Sequence, residues 1–209
     1  MSALVALPRQ VRACLLAAAI VVAVGACGPP ALTGAPSVGT VTSAATPTVA
    51  AGSGFTLSGP RPRSSYTVHF VVGTTSAIRT EAGFVVGRLT TLAGIRFTVG
   101  VDIPAKQYAD AGEIVLGSGL SCHVANEGGC TTIFANTAEI NGAVVTVAST
   151  TPSADLRPTL LHELGHAVGL AHWSGAPAQI MNPGLQSFTD YQAGDRNGLA
   201  ALRGMLVTR

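Results

Sequence analysis

The residues with the clearest chemical potential lie in one short stretch: positions 162–172 read His-Glu-Leu-Gly-His-Ala-Val-Gly-Leu-Ala-His. If this stretch is helical, His162 and His166 stand one turn apart on one face, where two imidazoles can meet a single ion. Gly169 can adopt a positive φ, end the helix and turn the chain so that His172 reaches the same ion from another direction. Three neutral nitrogens leave one corner of a tetrahedral zinc ion open, which is the arrangement of a catalytic site and not of a structural one. Glu163, next to the first histidine, can address a water in that open corner and act as general base. Three of the chain's five histidines fall in this stretch.

The elements that must position these groups are legible from periodicity. Residues 153–170 are predicted as the helix carrying the motif, with Ser153 or Asp155 as cap, Pro158 in its first turn, and Leu160, Leu161, Leu164 and Val168 for packing. Gly165 costs this helix about 1 kcal/mol against Ala unless close packing demands it. Upstream, a strand is predicted over 66–72, a helix over 77–92, and strands over 95–101, 113–116, 131–135 and 143–147; a final helix is predicted over 195–206, with Asp195 as its N-cap. The order is strand, helix, four strands, two helices. It predicts an α/β fold with a twisted five-stranded mixed sheet, an active-site helix and a C-terminal helix.

The motif resembles that of the metzincin metallopeptidases, and two later segments are similar to the matrixin-like branch. Ile180-Met181-Asn182-Pro183 resembles the Met-turn, and Asp195-Arg196-Asn197-Gly198-Leu199-Ala200-Ala201-Leu202-Arg203-Gly204 resembles the C-terminal helix of that branch. The resemblance implies a metzincin-like catalytic domain with one catalytic Zn2+ on His162, His166 and His172. It also implies Glu163 as the catalytic base, Met181 as an apolar floor beneath the metal, and residues 131–135 as an edge strand that binds a peptide in extended form. Trp173 and Pro183 depart from what several branches carry after the third ligand and after the methionine. No calcium-loop or second-zinc signature accompanies the motif.

The N-terminus reads as an export signal over residues 1–26: Arg9 and Arg12 precede an apolar run from Ala13 to Val24 that is short for a permanent span. Val24-Gly25-Ala26-Cys27 resembles a bacterial lipobox, making Cys27 the expected lipidation site and the protein an extracytoplasmic lipoprotein anchored to the cell membrane; an ordinary secretory signal is the alternative. Residues 27–63, rich in Pro, Ala and Thr, are expected to be a flexible tether, with a short propeptide as the other reading. The domain is expected over 64–209. Exported chains favour disulfides, so Cys122 and Cys130 are expected to pair, the alternative being a second metal site with His123. His69 and Tyr191 are read as structural residues, and Trp173 as a wall of the pocket.

The 209 residues are 47% apolar and only 11% charged, with a net charge of +2 and no basic run. Such a chain gives no basis for nucleic-acid binding. The expected function is an exported zinc-dependent endopeptidase with a peptide or protein substrate. Hydrolysis of cell-wall cross-links is a second use of the same chemistry. The alternative from another class is a catalytically inactive zinc-binding envelope lipoprotein acting as a scaffold or binding module, which would need the histidines but not Glu163.

Overall fold

The computed structural model describes residues 54–120, 128–175, 177–184 and 186–207. Among these the chain order is β1 (Thr56–Leu57), β2 (Ser65–Phe70), α1 (Ser76–Ala93), β3 (Arg96–Val99), β4 (Glu113–Gly117), β5 (Gly129–Ala135), β6 (Ile140–Val147), α2 (Ser153–Ala167), β7 (Leu170–Ala171) and α3 (Ala193–Val207). The fold is mixed α/β: three helices and a five-stranded mixed sheet in the order β3-β2-β4-β6-β5. The first four strands run parallel, and β5 lies antiparallel to β6 at the edge.

The period-2 alternation of the strands divides their side chains between two cores. Ile114 and Leu116 of β4, with Ala143, Val145 and Val147 of β6, join the helices in the larger cluster. Val115 and Val144 point the other way, to Val71 and Leu120. Helix α1 contributes the stripe Ile78, Ala82, Val85, Leu89 and Ala93, spaced three and four apart. Thr75 caps its start by accepting from the Ile78 N–H, and Gly94, at φ 71°, closes its end in the left-handed region.

Helix α2 packs Leu160, Leu161 and Leu164 fully out of solvent, each burial stabilising the fold by about 1.5–3 kcal/mol. Its start differs from expectation. The cap is Pro152 with no side-chain hydrogen bond, Asp155 lies in the first turn, and Pro158 stands inside the helix. An acidic group in the first turn favours the positive end of the helix dipole, so Asp155 stabilises without capping. The helix ends at Ala167, earlier than predicted, because Leu170 and Ala171 leave it to pair with Leu57 and Thr56. Arg157 ties α2 to α1 through Glu81 at 2.6 Å.

That pairing brings residues ahead of the expected boundary at 64 into contact with the core. Leu57 is buried and Phe55 packs on the core. Ser58 N–H donates to Gly169 O at 2.9 Å, and the backbone of Arg61 exchanges hydrogen bonds with the chain at Ala138 and Ile140. The expected signal peptide (1–26), the tether up to residue 53, Cys27, Cys122 and His123 lie outside the described residues. No helix among the described residues is long and apolar enough to cross a membrane.

Candidate metal centre

Helix α2 presents His162 and His166 on one face, with ring centroids 4.6 Å apart. Gly169, at φ 111°, turns the chain out of the helix. A side chain is strained at that φ, so glycine is required there. The two residues of β7 then carry the chain to His172, whose ring centroid lies 5.0 Å from that of His162 and 4.7 Å from that of His166. The Nε2 atoms of His166 and His172 each stand 3.0 Å from Nε2 of His162. The three rings form the one cluster of potential metal ligands among the described residues. His69 lies apart from it, with Nδ1 2.8 Å from Val101 O and Nε2 3.9 Å from a Glu113 carboxylate oxygen.

The outer nitrogens fix the chemistry of the inner ones. Nδ1 of His162 lies 2.8 Å from Ile180 O, and Nδ1 of His166 lies 2.8 Å from Leu170 O. Carbonyl oxygens only accept, so each Nδ1 carries the ring proton and each Nε2 turns a lone pair inward. Burial first, and the neighbouring His162 second, push the His166 imidazole down to about 4, so it is neutral at neutral pH. Two lone pairs facing each other at 3.0 Å repel unless a cation lies between them. Nitrogens sharing a tetrahedral zinc ion stand about 3.3 Å apart, given Zn–N bonds of about 2.0–2.1 Å. The donor set and its spacing fit one borderline-soft divalent cation.

The segment after His172 is held to the helix by a network that the sequence pattern does not reveal. Met181 is buried, and a Cβ on Gly165 would come 2.8 Å from its sulfur. The close approach that justifies glycine at 165 is therefore made by Met181. Asp195, predicted as an N-cap, instead lies within the first turn of α3. Its carboxylate accepts from the N–H groups of Ile180 at 3.0 Å, Met181 at 3.1 Å and Gln192 at 2.8 Å. Burial raises the pKa of this carboxyl even though all three N–H groups pull it down. Asp195 thus fixes the carbonyl of Ile180 that orients His162. Trp173 N–H donates to Met181 O at 2.8 Å, and Trp173 is not among the residues lining the cleft. Tyr191, fully buried, donates its hydroxyl to Leu161 O at 2.8 Å, which is a structural role.

Glu163 is 7% exposed and lines the same cleft, a space of about 480 Å3 bounded by the three histidines, Thr131 of β5, and Pro183 and Gln186 beyond Met181. Thr131 Oγ1 lies 2.7 Å from its Oε2. A Cβ on Gly129 would stand 2.7 Å from Thr159 Cγ2 and 3.0 Å from Glu163 Cγ, so glycine at 129 lets β5 lie close against α2. Neither Thr131 nor Gly129 is singled out by sequence as a partner of Glu163. Cys130 stands beside them on β5, and its expected partner Cys122 is outside the described residues.

Fold and site together define an α/β domain with a three-histidine cluster beside a buried glutamate, opening on a cleft. Two solved structures of myroilysin align with part of it. One does so at a TM-score of 0.34 and 18% identity, covering 55% of this chain and 52% of that one; the other at 0.33 and 17%, covering 55% and 47%. The aligned region thus spans about half the length of those chains. No protein-family model and no curated protein matches the sequence.

Proposed function

We propose that this protein is a zinc-dependent endopeptidase of the metzincin type. The observation that carries the proposal is the convergence of Nε2 atoms from His162, His166 and His172 beside the Glu163 carboxylate in one open cleft. When bound, a zinc ion supplies Lewis acidity, making a water more acidic and polarising the scissile carbonyl. The other steps belong to the chain. Glu163 takes the proton from the attacking water and returns it to the leaving amine. Its low exposure keeps bulk water from competing for that proton. Among the described residues strand β5 is the outermost of the sheet and borders the cleft, where an extended peptide can add as a further strand. The intact glutamate favours an enzyme over a zinc-binding scaffold, which needs ligands and no base.

The proposal extends to the cell envelope on sequence grounds: Cys27 as a lipidated first residue of the mature chain, and Cys122 paired with Cys130 in an oxidising compartment. Its test is metal removal. Purified protein incubated with a peptide library is expected to cleave it, to lose cleavage after dialysis against a chelator, and to regain it with one equivalent of zinc. Cleavage that survives complete metal removal contradicts the reading, and bound zinc without any cleavage moves it to the scaffold alternative.

A further inference from the structure

Strand register places Gly129, Thr131 and Ile133 opposite Val147, Val145 and Ala143 of β6. Directly paired residues of an antiparallel ladder share a face, and these three partners all belong to the helix-side core. On the opposite face Phe134 packs with Val144. Along the inward face of β5, then, a residue with no side chain is followed by a short hydroxyl. Gly129 admits α2 to close range, as the contacts of a Cβ there demonstrate. Thr131 is the next group to meet the helix, and it meets Glu163 at two oxygens: Oε2 at 2.7 Å and the main-chain carbonyl at 2.8 Å.

We propose that Thr131 is a positioning residue that holds the Glu163 carboxylate at a fixed orientation toward the cleft. The inference rests on the role given to Glu163 above and deepens it. A glutamate side chain has three rotatable bonds, and an unrestrained carboxylate points toward its substrate for only a fraction of the time. One hydroxyl within hydrogen-bond reach of both ends of the same residue ties the carboxylate to its own backbone and removes that freedom. A hydroxyl has a single proton, and the carboxylate is the stronger acceptor, so the proton goes to Oε2 and holds it against β5 while the main-chain carbonyl lies in close polar contact. The carboxylate is thereby set relative to the histidines on the same helix, as a partner behind a reactive group does when it leaves that group one orientation. Because β5 is also the edge strand along which a peptide would lie in the proposed function, the base and the substrate share one reference frame.

Thr131→Val keeps the shape and β-branching and removes the hydroxyl, whereas Thr131→Ser keeps the hydroxyl. The Val variant is expected to lose about 10- to 100-fold in kcat while KM on the same peptide stays within about twofold. The Ser variant is expected to recover most of the loss. Zinc affinity, measured by chelator competition, is expected to match wild type in both, because Thr131 is not a ligand; the melting temperature is expected to stay at wild type in the Ser variant and to fall by a few degrees in the Val variant, where nearly buried Glu163 loses a hydrogen-bond donor. A crystal structure of metal-free Thr131→Val provides the arm independent of turnover: the Glu163 carboxylate is expected to leave its place against β5. Wild-type kcat in the Val variant, equal loss in Val and Ser, a change confined to KM, or a Glu163 carboxylate that stays where it is would each overturn the inference. If wild-type protein binds zinc and cleaves no peptide, the proposed function fails, while the crystallographic arm still decides whether Thr131 holds Glu163.

Discussion

Glu163→Ala is expected to bind zinc as wild type does and to lose about 10²- to 10⁴-fold in kcat, the usual contribution of a positioned general base. Zinc is retained because the three ligand nitrogens belong to other residues, and the outer nitrogens of His162 and His166 keep their carbonyl partners at Ile180 and Leu170. Turnover falls because, among the described residues that line the cleft, Glu163 is the one carboxylate; Thr131, the polar neighbour on β5, is a poor proton acceptor. Glu163→Asp retains the charge one methylene short and is expected to fall between the two. The check is steady-state cleavage of a peptide alongside metal analysis of the same samples. A Glu163→Ala protein that turns over at the wild-type rate would show that another group takes the proton.

His166→Ala is expected to lose both metal and stability. Removing a direct ligand should cost more affinity than the about 10- to 100-fold typical of groups one step behind a metal, so the purified variant should carry little zinc. The fold is affected separately. His166 lies largely inside the protein and donates from Nδ1 to Leu170 O at 2.8 Å, and Leu170 is buried where β7 pairs with β1. A buried carbonyl without its donor costs about 1–3 kcal/mol, and the lost ring leaves space beneath the Gly169 turn. His172 is exposed, so His172→Ala is expected to lower zinc content with a much smaller effect on the metal-free fold. Thermal melts of the two variants with chelator present separate these contributions; equal melting temperatures would contradict the part assigned to the His166–Leu170 bond.

The parts of the structure set by local pattern were legible in the sequence. The stripe of α1, the apolar runs of β4 and β6, and the Gly169 turn each follow from sequence within a few residues, and the three histidines converge because helical spacing and one turn suffice. The parts set by long-range pairing were not. Residues 54–63 read as a tether by composition, yet Thr56 and Leu57 find partners more than a hundred residues later in β7. A two-residue strand has no period to detect. Asp195 has the sequence position of a cap, but its carboxylate reaches back to the N–H groups of Ile180 and Met181; no local rule requires that contact. Thr131 is one of many threonines in the chain. Only the register of β5 on β6, with glycine at 129, turns it toward Glu163.

The most direct test of the account is a crystal of zinc-loaded protein measured on both sides of the zinc absorption edge. One anomalous peak is predicted, about 2.0–2.1 Å from the Nε2 atoms of His162, His166 and His172, with the Glu163 carboxylate nearby but not bound to the ion. A peak at some other group of side chains, or no peak at the three histidines at full zinc occupancy of the sample, would contradict it.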